Sequence, residues 1–319
     1  MKKQLLIVSP ASAKENNGNW QTASRWAYFL RTRYRVAIAP GWQRPDDAPD
    51  LLIALHARRS AGALAAFTHA FPQRPSVLVL TGTDLYRDIA TSSEAQASLD
   101  HARALVLLQG AGLALLPPAL HAKTRVIYQS APALAPHRHA PGRRHADICM
   151  IGHLRAEKDP LTFMRAGALV TSPTARLLHI GGALDAALGE AARATAASNP
   201  RYQWLGNLAH GAARQRLKRC HAMVIASHME GGANVIIEAV TSAVPVLASD
   251  ISGNRGMLGD DYAGYFSPGD APALARLIDR CIDDAPFHAL LRRQCDARAS
   301  LFAPSHERAS VLDLVDNLV

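Results

Sequence analysis

Two glutamates eight residues apart, Glu230 and Glu238, flank a Gly-Gly pair in the stretch MEGGANVIIEAV. Glycine lets a ligand approach the backbone closely, and a helix start offers unpaired N–H groups at the positive end of the helix dipole. Gly231, Gly232, Ala233 and Asn234 therefore suit a phosphate. A carboxylate on each side can accept hydrogen bonds from hydroxyls on either flank of a diphosphate. A nucleotide-sugar has that layout: sugar, diphosphate, ribose. The plainer alternative makes Glu230 a helix-capping acid and Glu238 a solvated helix residue. Glu238, however, sits in IIEAV, where a carboxylate without a partner is costly.

Other residues able to do chemistry fall at the ends of apolar runs. GHLRAEKDP (152–160) carries Arg155 and Lys158 between an apolar run and a helix, where a basic pair can clamp a diphosphate from the side opposite the Gly-Gly turn. Helix-start solvation is the alternative for both. Gly206 and Asn207 end another apolar run, where a base or ribose can lie against backbone. In the first half, Gly18-Asn19 opens a helix; His56, Arg58 and Arg59 follow one run; Thr81, Thr83 and Asp84 follow the next. Arginines and a helix start at one rim suggest a small anion, although an exposed helix start also explains the two arginines. No P-loop and no dinucleotide fingerprint occurs. The aspartate pairs Asp46-Asp47, Asp260-Asp261 and Asp283-Asp284 end no apolar run and read as loop charges. His137 and His139 lack an acidic or cysteine partner at ligand spacing, so no metal is expected.

The elements that must position these residues alternate. Short apolar runs at 4–9, 34–39, 50–55, 76–81, 104–109 and 124–129 predict strands, with helices between them at 19–32 and 60–71. Near-continuous apolar strands separated by helices predict a parallel sheet covered on both faces. Residues 130–147 hold four prolines and no apolar period, which predicts a solvated linker. The alternation then restarts: strands at 147–152, 175–182, 202–205, 222–226 and 245–248, and helices after Pro160, to about 198, at 212–219, 234–242, 271–284, 286–301 and 305–319. The expected fold is α/β, two doubly wound parallel-sheet domains facing a cleft, with ligands at the carboxyl ends of the strands. The expected division is 1–135 joined by the C-terminal helix 305–319, a linker at 136–146, and 147–304.

Bulk composition agrees. A chain of 319 residues with 49% hydrophobic and 19% charged residues has room for two cores. No apolar run reaches the ~18–20 residues of a membrane span, and the short apolar run of MKKQLLIVSP reads as a first strand rather than a leader. The four cysteines show no C-x-x-C spacing, which fits reduced, buried thiols in a cytoplasmic protein. A formal charge of +9 favours anionic partners. Basic residues scattered over both halves and 6% aromatics without a stacking cluster argue against nucleic acid.

The segment EGGANVIIE resembles the glutamate pair of the GT-B glycosyltransferases that use nucleotide-sugar donors without a metal. GHLRAEK is similar to that family's diphosphate site, and VPVLASD to the strand after its helix. The resemblance implies that Glu230 holds donor-sugar hydroxyls, Glu238 the ribose, Gly231 to Asn234 the phosphates and Lys158 the diphosphate. His153 stands where the family commonly has arginine, so either His153, at the donor, or Arg155 is expected to hold the diphosphate there. NNGNWQTA, LHARRSA, TGTDLYRD and GHLRAEKDP further resemble the selenosugar synthase family of selenoneine biosynthesis, over nearly the whole chain. That likeness implies selenophosphate and a UDP-sugar such as UDP-N-acetylglucosamine as substrates, no cofactor, no nucleic acid and no membrane partner; the oligomeric state stays open. The GT-B resemblance puts the acceptor in the first half, where the run ends offer Gly18, Asn19, Arg58, Arg59, Thr81, Thr83 and Asp84. His56 is expected as a catalytic residue beside Glu230, Lys158 and Arg155. Gly206 and Asn207 are expected at the donor from their place at the end of a run. Thr81 stands where many relatives carry a histidine, which fits an acceptor that is already anionic and needs no base. A conventional glycosyltransferase with a hydroxyl acceptor is the rival reading.

Overall fold

The computed structural model describes residues 2–14, 18–43, 48–137 and 144–319. Asn16, Asn17, Asp46, Asp47 and His139, singled out above, lie outside them. The chain divides into two compact units, Met1–Ser130 with Pro304–Val319, and Ala131–Ala303.

The first unit runs β1 (Gln4–Val8), α1 (Gly18–Leu30), β2 (Arg35–Ala39), β3 (Leu51–Leu55), α2 (Ala61–Ala70), β4 (Ser76–Leu80), a one-turn α3 (Ile89–Thr91), α4 (Ser93–His101), β5 (Ala104–Leu107) and β6 (Thr124–Val126). The strands pair in parallel in the order β2-β1-β3-β4-β5-β6. Every residue of β3 and β4 is buried, because alternate side chains serve two cores. Leu51, Ile53, Leu55, Val77 and Val79 pack with Trp26 and Leu30 of α1. Leu52, Ala54, Leu78 and Leu80 pack with Leu64 and Phe67 of α2 and Leu99 of α4.

The second unit runs β7 (Ala146–Ile151), α5 (Pro160–Leu169), β8 (Ala175–Ile180), α6 (Ala186–Ser198), β9 (Tyr202–Trp204), α7 (His210–Leu217), β10 (Ala222–Ile225), α8 (Asn234–Val240), β11 (Val246–Ser249), α9 (Ser252–Leu258), β12 (Tyr265–Phe266), α10 (Ala271–Asp283) and α11 (Ala285–Asp296). Its parallel sheet has the order β12-β11-β10-β7-β8-β9. The chain starts at the centre, winds outward to β9, and returns to build the other half from β10, so β7 and β10 form the switch point where such sheets bind ligands. Aspartates start several of the helices: Asp159, Asp185, Asp270 and Asp284 each accept a backbone N–H from the first turn. After α11, α12 (Pro304–Asp316) returns to the first unit. There Val311 and Val315 join the core of α1. Glu307, fully buried, accepts from Arg25 Nε at 2.6 Å, Trp26 Nε1 at 2.9 Å and Ser130 Oγ at 2.6 Å.

Several expectations are corrected. The linker is not solvated throughout: Leu134 N–H bonds Thr241 O at 3.0 Å and Arg214 Nη2 bonds Pro132 O at 2.7 Å, which holds its first part on the second unit. The expected helix 286–301 ends at Asp296 and gives way to a 3₁₀ turn, Ala299–Phe302. α7 begins and ends two residues earlier than expected, because its cap, Ala209, carries no side-chain acceptor to mark the start. The run 124–129 yields only the three-residue edge strand β6.

Candidate active site

In the second unit the loop after β7 holds the basic residues and the loop after β10 holds Glu230, so the sheet's switch point brings them together. Asp159 adopts a left-handed conformation (φ +45°) and accepts from Thr162 N at 3.2 Å and Thr162 Oγ1 at 2.5 Å, which fixes the chain just past Lys158. Lys158 Nζ donates to Glu230 Oε1 at 2.5 Å, the two side chains being 18% and 10% exposed. His228 ties the same loops together: its N–H bonds Glu157 O at 2.9 Å and its Nε2 lies 3.5 Å from Asp159 Oδ2. Glu230 is seated from behind by Gly253 of α9, where an added Cβ would fall 2.0 Å from Glu230 O. Only glycine permits that approach.

Glu238 is 8% exposed and accepts from His210 Nε2 at 2.7 Å. That hydrogen bond raises the His210 pKa above its ordinary value against the opposing effect of partial burial. Glu238 is thus neither solvated nor stranded: the first residue of α7 pairs it. Nor does Glu230 cap α8, whose cap Ala233 offers no side-chain acceptor. Gly231 and Ala233 are buried, and Gly232 and Asn234 half-buried, between the two carboxylates.

His153 and Asn207 are exposed and adjoin at the ends of β7 and β9: a Cβ on Gly182 would lie 3.5 Å from each. His153 Nδ1 accepts the Gly182 N–H at 3.1 Å, which leaves the ring proton on Nε2. Gly206, at φ +68°, gives its carbonyl to Gly181 N at 2.8 Å. Gly181 itself must be glycine, since a Cβ there would strike Gly152 O at 1.9 Å. Arg155 stands exposed, with Nε 4.0 Å from Glu157 Oε2, outside the Lys158–Glu230 pair.

In the first unit the turns after β3 and β4 meet. His56, at φ +75° and 2% exposed, contacts Thr83 Oγ1 through Nε2 at 3.1 Å. Burial, first of all, lowers its pKa, with Asp84 opposing. Asp84 is fully buried and spends its carboxylate on the N–H groups of Thr81 (2.9 Å), Gly82 (2.7 Å) and Ala57 (2.9 Å). It holds the turn with bonds to three backbone N–H groups. Arg58 Nε donates to Asp88 Oδ2 at 2.9 Å, and Arg87 Nε to Asp88 Oδ1 at 3.2 Å. Burial would raise the Asp88 pKa, but these two guanidiniums outweigh it and the net shift is downward. Both Arg58 and Arg59 are exposed, but Arg58 is committed to Asp88 whereas Arg59 donates to neither carboxylate. Gly18 and Asn19 form the first turn of α1, where Gly18 O accepts from Thr22 Oγ1 at 2.8 Å.

The residues missed by sequence reasoning are His210, Gly253, His228, Arg87 and Asp88. Arg87 and Asp88 lay in sight at the end of TGTDLYRD, one helical turn after Asp84; the other three carry no local signal. Among the described residues, His221, Cys281 and His288 also bring metal-capable atoms within 4.8 Å of one another. Their imidazoles stack at 4.0 Å, and each Nε2 bonds a carbonyl, of Cys281 at 2.9 Å and of His221 at 3.1 Å. His221 precedes β10, so this packed pair lies at the end of the strand opposite Glu230.

Two parallel six-stranded sheets, each covered by helices, form the GT-B architecture. The family model for glycosyl transferases group 1 matches residues 137–300, more than half of the chain, and the chain belongs to that family. Several solved structures share the fold over nearly the whole of both chains. HepE of Anabaena, in complex with UDP and glucose, is 17% identical with a TM-score of 0.79, over 99% of this chain and 100% of that one. Sucrose-phosphate synthase of Thermosynechococcus elongatus is 15% identical with a TM-score of 0.80, over 99% of each chain. The lipopolysaccharide outer core galactosyltransferase WaaB is 12% identical with a TM-score of 0.73, over 99% of this chain and 100% of that one. Among the described residues no helix is long and apolar enough to cross a membrane.

Proposed function

We propose that the chain transfers a sugar from a UDP-sugar and, within that class, that it is a selenosugar synthase of the SenB type. Donor use is supported by HepE, whose solved complexes contain UDP and UDP-glucose, and by the carboxylates and lysine gathered at the switch point of the second unit. On this reading Glu230 takes the donor-sugar hydroxyls and Glu238 the ribose. Lys158, Arg155 and the start of α8 neutralise the departing diphosphate, so the reaction calls for no metal. Four free, buried cysteines fit a cytoplasmic enzyme.

The observation that carries the finer reading is the commitment of every candidate base where β3 and β4 end. Asp84 is consumed by backbone N–H groups, Asp88 by Arg58 and Arg87, and His56 Nδ1 by the Arg59 N–H at 3.3 Å. A hydroxyl acceptor meets no ready base among them, whereas selenophosphate arrives as an anion. Its selenium bonds the anomeric carbon as the carbon–oxygen bond to UDP breaks. Water then takes the phosphoryl group, so that P–Se breaks, P–O forms, and a selenosugar and phosphate remain. The test combines protein, UDP-N-acetylglucosamine and selenophosphate and follows products by mass spectrometry, with and without EDTA. A selenium-bearing sugar formed with UDP is the expected result. Turnover of the donor with hydroxyl acceptors alone makes the protein a conventional glycosyltransferase.

A further inference from the structure

The contact of His56 Nε2 with Thr83 Oγ1 joins the side chains of the turns after β3 and β4 in the first unit. His56 Nδ1 lies 3.3 Å from the Arg59 N–H, and a ring nitrogen that accepts a hydrogen bond carries no proton. The ring is buried and its pKa is lowered, so it is neutral at pH 7 and its one proton sits on Nε2. Asp88 Oδ2, 3.9 Å from Nε2, favours the proton on that side. His56 therefore donates to Thr83 Oγ1 at 3.1 Å. The threonine hydroxyl has a single proton of its own, and with His56 filling a lone pair that proton points elsewhere. Thr83 is half-buried, its side chain makes no capping bond to the π-helical turn Asp84–Asp88, and no acceptor among the described residues takes its proton.

The surroundings suit an anion. Asp84, held by backbone N–H groups, makes the turn rigid. Arg58, Arg59 and Arg87 stand against Asp84 and Asp88, which leaves the cluster positive, and the charges of Arg59 and Arg58 both act on the His56 ring. Of the three guanidiniums, Arg59 is the one that donates to neither carboxylate.

We propose that the Thr83 hydroxyl, aimed by His56, is the donor that seats one oxygen of a small tetrahedral oxyanion at the carboxyl end of β4, with Arg59 as its counter-charge. His56 is a positioning residue and Thr83 a binding residue. The identity of the oxyanion as the phosphoryl end of selenophosphate rests on the function proposed above; the site itself does not.

Inorganic phosphate is the probe. Binding is followed by calorimetry for the wild type, Thr83→Ser, Thr83→Val, His56→Gln and His56→Leu, and the KM for selenophosphate is measured alongside. Thr83→Val is expected to weaken phosphate binding about tenfold, as for one charge-assisted hydrogen bond, and to raise the selenophosphate KM by a similar factor while the donor KM holds. Thr83→Ser keeps the hydroxyl and is expected within threefold of wild type. His56→Gln retains a donor and follows Thr83→Ser, whereas His56→Leu follows Thr83→Val. A wild type that binds no phosphate, or a Thr83→Val protein that binds it equally, overturns the inference even if selenosugar is made. Phosphate binding lost in Thr83→Val, in a protein that makes no selenosugar, upholds this site and overturns the proposed function. The Thr83 pair suffices should either His56 variant fail to fold.

Discussion

Replacing Lys158 by methionine separates stability from turnover. The substitution keeps the stem, removes the charge, and leaves the Glu230 carboxylate, 10% exposed, without the 2.5 Å bond it now has. A poorly solvated group losing its partner costs about 1–3 kcal/mol. At ~2–4 °C per kcal/mol for a unit of this size, the melting temperature falls by roughly 2–12 °C. Loss of one group that neutralises a leaving diphosphate lowers kcat by about 10²–10³. The companion substitution Glu230→Gln removes the stranded charge. The double variant Lys158→Met/Glu230→Gln should therefore regain most of the melting temperature and none of the turnover. The assay is UDP release at saturating donor and 25 °C, with circular-dichroism melts of the same preparations. The reasoning is refuted if Lys158→Met keeps kcat within threefold, or if turnover returns together with stability in the double variant.

Gly253→Ala touches no ligand group, yet its Cβ would fall 2.0 Å from Glu230 O; the displaced loop should cost about tenfold to a hundredfold in kcat, and unchanged kinetics would show that the loop yields freely. Glu307→Ala strands Arg25 and Trp26 in the core of the first unit, with an expected loss of about 3–5 kcal/mol in urea unfolding followed by tryptophan fluorescence; a loss under ~1 kcal/mol would dismiss the clamp. The His210–Glu238 bond raises the His210 pKa, so its contribution to stability is complete below the unfolded value of about 6.5 and fades as pH rises through the folded value. With His210 about half exposed that contribution is at most ~1 kcal/mol. An NMR titration of the His210 ring should show a midpoint above 6.5, and a midpoint below it would contradict the pairing.

Much of the fold was legible because its signals are local. Continuous apolar runs such as LLIAL and SVLVL serve two cores at once and announce a covered parallel sheet. Aspartates before α5, α10 and α11 mark their starts. Two elements of the second unit were not read at all: α9, which follows Ile251 with no side-chain cap, and β12, which is two residues long. The Gly-Gly turn and its flanking acids were visible for the same local reason. Their partners were not, since His210 reaches Glu238 across 28 residues and Gly253 backs Glu230 only through the packing of α9.

The acids of the two units differ in what it takes to free them. In the second unit Glu230 and Glu238 are each held through Oε1 alone, by a lysine and a histidine that reach solvent, while their Oε2 atoms take no hydrogen bond from the described residues. Releasing Glu238 from the half-exposed His210 costs about 0–1 kcal/mol, so ligand hydroxyls can replace His210 at little expense, while Glu230 can keep Lys158 and offer its other oxygen. In the first unit, freeing Asp84 would strand three backbone N–H groups, at about 1–3 kcal/mol for each one left buried. Asp84 therefore stays where it is, and the two turns it ties together present Arg59 and Thr83 instead of an acid. On the proposed function, the sugar and ribose hydroxyls of the donor go to the exchangeable carboxylates of the second unit, beside the lysine that meets its diphosphate. The small anionic acceptor goes to the donors that a locked carboxylate keeps in place in the first.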